Sequence, residues 1–230
     1  MKKMKKLMGL IAFLCAVISM NGCGNAPPAS TDNGDNMEVG FAESSSVEHS
    51  GLDTIIITSV KALVTNVQLY QSYNSEYQSV VAVPVVMNIT PGVGYEKIGS
   101  GVIGNGIYQR VKFDLHQPDA GEVVSDPDFN TGTGNTERSS VIIAGTFNGI
   151  AFTYKMHSSQ TKEFIFPSNV ELDINPLSIT VLYNPTLWFK SPTNTLLNPL
   201  SDVNWDQIDL NITGSFRKAF LDSDHNGSPD

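Results

Sequence analysis

Two apolar runs, residues 141–147 and 150–156, are joined by Asn148-Gly149. No other feature limits the fold of this chain so tightly. A two-residue connection of this kind needs positive φ at both positions, which Asn and Gly tolerate, and it closes its flanking strands into an antiparallel hairpin. Ile150, Phe152, Tyr154 and Met156 alternate with smaller or polar residues, as in a half-buried strand.

The same texture recurs along the chain. Ile55, Ile56 and Ile57 lead into residues 60–70, which carry Val60, Leu63, Val64, Val67 and Leu69. Residues 79–89 are rich in Val and contain Pro84, which assigns them to an edge or bulged strand because proline cannot donate to a ladder. In residues 107–115, Ile107, Val111, Phe113 and Leu115 oppose Arg110, Lys112 and Asp114. Residues 164–166, 170–174 and 177–183 continue the pattern. Residues 117–139 are polar, with Asp119, Asp126 and Asp128, and read as a long surface loop. Many short strands with few helical periods predict a mainly β chain, an antiparallel β-sandwich over residues 51–201.

The last part reads differently. Ile208, Ile212, Phe216, Ala219 and Phe220 fall at helical spacing, with Asp202 or Asn204 available as a cap, so the expectation over residues 205–220 is a short C-terminal helix. Ile208, Leu210 and Ile212 also alternate, which makes a strand the rival. Gly214 costs such a helix about 1 kcal/mol. Residues 202–230 therefore form a C-terminal helix followed by an acidic tail.

The N-terminal stretch carries an address. Lys2, Lys3, Lys5 and Lys6 precede an apolar run over residues 7–20, then Asn21-Gly22-Cys23. The run is shorter than the ~20 residues a membrane span needs. A basic head, an apolar middle and small residues before a cut make a secretory signal, here residues 1–22. Its removal takes four Lys and no acid from 14 Lys and Arg against 23 Asp and Glu, leaving the 208 remaining residues near −13. That charge disfavours nucleic acid and anionic surfaces as partners, since both select clustered Lys and Arg. Cys15 leaves with the signal and Cys23 is the one cysteine remaining, so no internal disulfide is expected. Residues 23–50 are rich in Asn, Asp, Ser, Pro and Gly, and read as a tether unable to bury enough surface to offset ordering entropy.

Gly22-Cys23 at the end of this signal resembles the lipobox of bacterial lipoproteins, although Met20 stands where Leu is usual and Asn21 where a small residue is usual. The resemblance implies acylation of Cys23, and Gly24 in place of Asp implies the outer membrane as the destination. Three further segments carry a second resemblance: residues 60–70, the run Gly104-Asn105-Gly106-Ile107-Tyr108-Gln109-Arg110-Val111-Lys112-Phe113, and Val170-Glu171-Leu172-Asp173-Ile174. With the lipobox they resemble a broad group of bacterial lipoproteins with a prealbumin/immunoglobulin-like β-sandwich. That group implies a fold and a cell-envelope location, and no catalytic residues.

One stretch points to chemistry. Asp222-Ser223-Asp224-His225-Asn226-Gly227-Ser228-Pro229-Asp230 spells D-x-D-x-N-G-x-x-D. Calcium loops of the EF-hand type place oxygen ligands at positions one, three and five and a glycine at six. Asp222, Asp224 and Asn226 take those ligand positions, Gly227 the sixth and Asp230 the ninth. The sequence stops short of position twelve, where a bidentate Glu is usual. The pattern also resembles the aspartate-rich repeats of thrombospondin-like proteins. The expectation is a weak Ca²⁺ site, set against a solvated acidic tail.

Other signals carry less. Gly99-Ser100-Gly101-Val102-Ile103-Gly104 matches G-x-G-x-x-G but precedes a strand, whereas a phosphate cradle needs a helix N-terminus. His49, His116, His157 and His225 include no i, i+4 pair around a Glu, and His49, His116 and His157 read as loop residues. No G-x-S-x-G elbow, P-loop or mature thiol nucleophile is present. Trp188, Phe189, Trp205, Tyr70, Tyr73 and Tyr77 read first as core, second as a platform for sugars. The sequence-level reading is a lipid-anchored envelope protein with no catalytic residues, a binding or structural module with a protein or glycan partner. The alternatives are a surface carbohydrate-binding protein and an envelope hydrolase with a carboxylate site.

The anchor has a direct check. Wild-type protein made in an envelope-bearing bacterial host takes up labelled palmitate and sediments with membranes, whereas Cys23→Ser does neither. An unlabelled wild type, or a serine variant that still sediments with membranes, contradicts the reading.

Overall fold

The computed structural model describes residues 34–43, 54–71, 76–89, 94–131 and 138–230. The expected signal, Cys23, His49 and most of the expected tether lie outside these residues. The described chain forms β1 (Met37–Glu43), β2 (Ile55–Tyr70), β3 (Tyr77–Val81), β4 (Val85–Ile89), β5 (Tyr95–Gly101) and β6 (Gly106–Leu115). It continues with β7 (Val141–Phe147), β8 (Ile150–Met156), β9 (Gln160–Leu172), β10 (Leu177–Tyr183), α1 (Trp205–Ser215) and β11 (Phe216–Leu221).

These strands build a β-sandwich. One sheet runs β11-β10-β1-β5. The other runs β8-β7-β2-β6-β9, with β3 and β4 on the second edge of β2. Every pairing is antiparallel except β1 with β10. β2 spans 16 residues and changes partner along its length. Val60, Lys61 and Ala62 pair at once with β4 and β7, and Val64 with β4 and β6. Hence β7 and β6 occupy successive stretches of one edge of β2, and β4 and β3 occupy the other. Asn66 marks the bulge between them, at φ 53°, with its amide donating to Asp114 Oδ2 at 2.7 Å.

The hairpin read from Asn148-Gly149 forms as expected. Both turn residues have positive φ, 52° and 79°, and the register closes from Phe147 against Ile150 to Val141 against Met156. Asn148 also ties the turn to β2: its N–H donates to the Thr54 carbonyl, and its Oδ1 accepts from Thr54 N–H. Pro84 falls between β3 and β4, where no ladder bond is asked of it. Part of the expected surface loop plugs the fold. Residues Pro127–Asn130 form a 3-10 turn whose Phe129 is fully buried against Leu63 and Ile142. Lys61 bonds both Asp126 and Asp128, at 2.6 and 2.8 Å, and holds the turn in place.

Two boundaries differ from the sequence reading. The tether was expected to run to residue 50, yet Met37–Glu43 is the third strand of a four-stranded sheet, flanked on both sides by β10 and β5. Polar composition over the whole segment hides a local alternation. Met37, Val39 and Phe41 enter the core while Glu38, Gly40 and Ala42 face the other way. The helix expected to reach Phe220 stops at Ser215, and residues 216–221 become β11, paired with β10. The exposed edge of β10 offers a row of unsatisfied backbone groups, and an extended segment satisfies them where a helix cannot. The sandwich therefore begins before residue 51 and ends after residue 201.

The core joins the two sheets through aromatic rings. Phe41 of β1 lies 5.2 Å from both Phe113 of β6 and Phe216 of β11, with tilted planes. Trp188 and Phe189 are core residues, and Phe189 meets Phe152 and Tyr154 edge-on. Phe41→Ala should lower the free energy of unfolding by about 3–5 kcal/mol in urea denaturation, the usual cost of emptying a buried phenylalanine site. A change within ~0.5 kcal/mol would mean that residues 37–43 are a tether after all.

Candidate functional site

The Asp-rich stretch is packed, not frayed. After β11 the ladder runs one step further, as Asp222 N–H donates to the Ser178 carbonyl at 3.0 Å. Asp222 is fully buried. Its Oδ1 accepts from Asn226 N–H and its Oδ2 from Gly227 N–H, each at 3.0 Å. These bonds curl the chain into a tight loop, and the curl needs left-handed backbone at His225 (φ 58°) and Gly227 (φ 78°). Asn226 then donates from Nδ2 to Asp224 Oδ2 at 2.7 Å, and its Oδ1 accepts from Ser228 N–H at 2.8 Å. Asp230 closes the loop: its Oδ2 accepts from Ser223 N–H at 2.8 Å, and its own N–H donates to the Leu221 carbonyl at 3.1 Å.

The result is a convergent set of oxygens. One carboxylate oxygen from each of Asp222, Asp224 and Asp230 lies within 4.8 Å of the others. Ca²⁺ binds oxygens at ~2.3–2.6 Å, so ligands on opposite sides of one ion stand about 5 Å apart, and this triad could hold a metal ion. Asn226 places its side-chain oxygen in the same turn. The Asn226 amide holds the Asp224 carboxyl below its usual value, which keeps it ionised. Gathering three carboxylates, one of them buried, is costly unless a cation or donors offset them. Asp222 has two backbone donors for that purpose.

The loop is fastened to the outer face of the first sheet by groups that the local motif does not contain. The His225 ring stacks on Tyr95 of β5, with centroids 4.0 Å apart and planes 7° apart. His225 Nε2 lies 2.9 Å from Ser178 Oγ and 3.5 Å from Glu38 Oε1. Glu38 of β1 is itself nearly buried, and it accepts from Tyr95 O–H and from Lys97 Nζ, each at 2.8 Å. Burial pushes the Tyr95 phenol well above its usual value, so it stays protonated and donates. Gly40 makes room for this arrangement, because a Cβ there would sit 2.3 Å from the Tyr95 ring.

A serine, a histidine and a glutamate thus meet, but not in the order a nucleophilic triad needs. Ser178 Oγ and Glu38 Oε1 both approach Nε2, so the acid does not orient the ring from Nδ1. Ser178 is also 6 % exposed, which closes it to a substrate. The contacts act as a clasp.

The other sequence candidates scatter. Asp126 is paired with Lys61, whose hydrogen bond lowers its carboxyl, and Asp119 N–H donates to Glu122. His116 Nε2 meets Glu122 at 2.8 Å, and His157 Nδ1 donates to the Arg138 carbonyl. Both are anchored rather than free loop residues. Gly99 and Gly101 belong to β5 and let it approach Val81 and Val80. A shallow cleft of about 320 Å³ beside α1 is lined by Gln160, Asp206, Asp209, Leu210 and Thr213. Its two acids stand three residues apart on one helix, so they do not oppose each other across the cleft as a hydrolytic pair must. Of the sugar-platform candidates, Tyr70 and Tyr77 form one surface pair at 5.5 Å, and Trp205 lies apart on α1.

His225→Ala should lower the free energy of unfolding by about 1–3 kcal/mol, from the lost ring stack and hydrogen bond. A solvated tail would leave stability unchanged within ~0.5 kcal/mol. Comparison with known proteins finds no family model, no curated protein and no solved structure that matches this chain.

Proposed function

We propose that this chain is a lipid-anchored lipoprotein of the bacterial outer membrane, acylated at Cys23, that acts by binding and not by catalysis, with a Ca²⁺ site in residues 222–230. The observation that carries the cation is the convergence of Asp222, Asp224 and Asp230 within 4.8 Å in a loop clasped to the sheet. Ca²⁺ suits it because every candidate ligand is a hard oxygen and the spacing follows a calcium loop through its first six positions. Few charged ligands and open coordination positions put the affinity at about 10⁻⁴–10⁻³ M, the range of extracellular modules. The lipid anchor rests on the residues around Cys23 and on the lipobox they resemble.

The two parts of the reading fit one geometry. Residues between Cys23 and Gly34 reach no further than about 40 Å even when fully extended. Asn36 is already bound into the fold, exchanging side-chain hydrogen bonds with the Ile103 backbone at 2.8 Å. β1 enters the sheet with Met37 beside Leu177 and Glu38 beside Ser178, and Asp222 donates to the Ser178 carbonyl. The cation loop therefore lies at the end of the sheet where the chain from Cys23 would enter.

Calorimetry with Ca²⁺ tests the site. Asp224 is the suitable variant because it is exposed, whereas loss of Asp222 would also uncap β11. Wild type should bind one Ca²⁺, and Asp224→Asn should bind at least tenfold more weakly with unchanged stability in chelator. Equal heats from the two proteins, or none from wild type, would overturn the calcium reading.

A further inference from the structure

Tyr154 of β8 is buried under the first turns of α1, with its ring edge-on to Trp205 at 6.4 Å. Its hydroxyl oxygen lies 2.5 Å from Asp209 Oδ1 and 3.1 Å from the Trp205 carbonyl oxygen. A phenol carries one proton. A carbonyl oxygen only accepts, and so does an ionised carboxylate. With Asp209 ionised, one proton has two claimants, and the Trp205 contact gains nothing from the hydroxyl. With Asp209 protonated, each group is served: Asp209 donates to Tyr154, and Tyr154 donates to Trp205.

We infer that α1 is latched by a proton, with Asp209 seated at this junction as a neutral acid that ties the helix through Tyr154 to the Trp205 carbonyl. The groups around it pull both ways, and burial prevails. Asp206, one turn back on α1, lines the same cleft and disfavours a second negative charge. From β9 the cleft receives Gln160, which is uncharged. Burial pushes the Asp209 carboxyl above the ordinary range, and it does so against the Tyr154 hydroxyl and against His157, just after β8, both of which favour ionisation. The His157 Nδ1 is committed to the Arg138 carbonyl.

The latch reaches beyond its own helix. Ser215 of α1 is followed directly by Phe216 of β11, and β11 ends one residue before Asp222. Loosening α1 therefore loosens the support of the last strand and of the loop it carries. The sign follows from linkage. An acid whose value is raised on folding contributes its full stabilisation below about 3.9, the ordinary aspartate value, and loses it as pH rises through the folded value.

The test compares wild type with Asp209→Asn, whose amide N–H donates to Tyr154 as the acid does and never ionises. Urea denaturation at pH 4 should give equal stabilities. At pH 8 the variant should be the more stable, by about tenfold in the unfolding constant for each unit by which the acid is raised. Equal stabilities at pH 8, or a less stable variant there, would overturn the latch. A carboxyl ¹³C titration of Asp209 in the wild-type protein gives an answer that needs no variant. A midpoint above 3.9 supports a proton held more tightly by the folded protein, as the latch requires, and a midpoint at or below it refutes it.

Discussion

The fold depends on seven residues lying between two other strands. β1 is held by β10 on one side and β5 on the other, so the first sheet has no continuous ladder without it. Its inner face sends Phe41 against Phe113 and Phe216, which joins both sheets and the last strand in one aromatic contact. Its outer face sends Glu38 to Tyr95, Lys97 and His225. A single strand thus sets the core on one side and the seat of the C-terminal loop on the other. Since side chains alternate at every residue, a slip of one position would exchange the two roles.

What could be read from the chain alone was the local part. The β7–β8 hairpin was legible because Asn148-Gly149 needs no distant partner to be recognised. Residues 107–115 and 177–183 were legible as strands from their period of two, although a bulge between Tyr108 and Arg110 leaves Ile107 exposed and buries Arg110, against the face expected for each. The acidic triad Asp222, Asp224 and Asp230, which could hold a metal ion, was legible for the same reason, since all three lie within nine positions. β1 was missed because a composition window over residues 23–50 averages Met37, Val39 and Phe41 with the polar residues around them. The signal that could have found it was their alternation. β11 was missed because Phe216, Ala219 and Phe220 continue the helical spacing of Ile208 and Ile212, and only the open edge of β10 decides against the helix. Glu38, Tyr95 and Ser178 come from three separate strands, so no spacing along the chain could have gathered them around His225.

That division bears on function. The loop gathers its carboxylates by itself, but its position is set by tertiary contacts, and positive φ at His225 is tolerated because the ring is stacked and bonded. A loop already shaped in this way has less ordering cost to meet when a cation arrives. The sandwich gives such a loop a rigid base, at the end of the sheet where β1 enters. The α1 junction stands apart from this loop, yet it feeds into the same last strand.

The claim on which the rest stands is that β1 is a structural strand. Hydrogen exchange at the β1 amides that bond across to β5 and β10 tests it most directly. Exchange as slow as that of the central β2 and β6 amides, lost only with global unfolding, is what the sandwich predicts. Exchange at the rate of an unprotected chain, with β10 and β5 still protected, would contradict it.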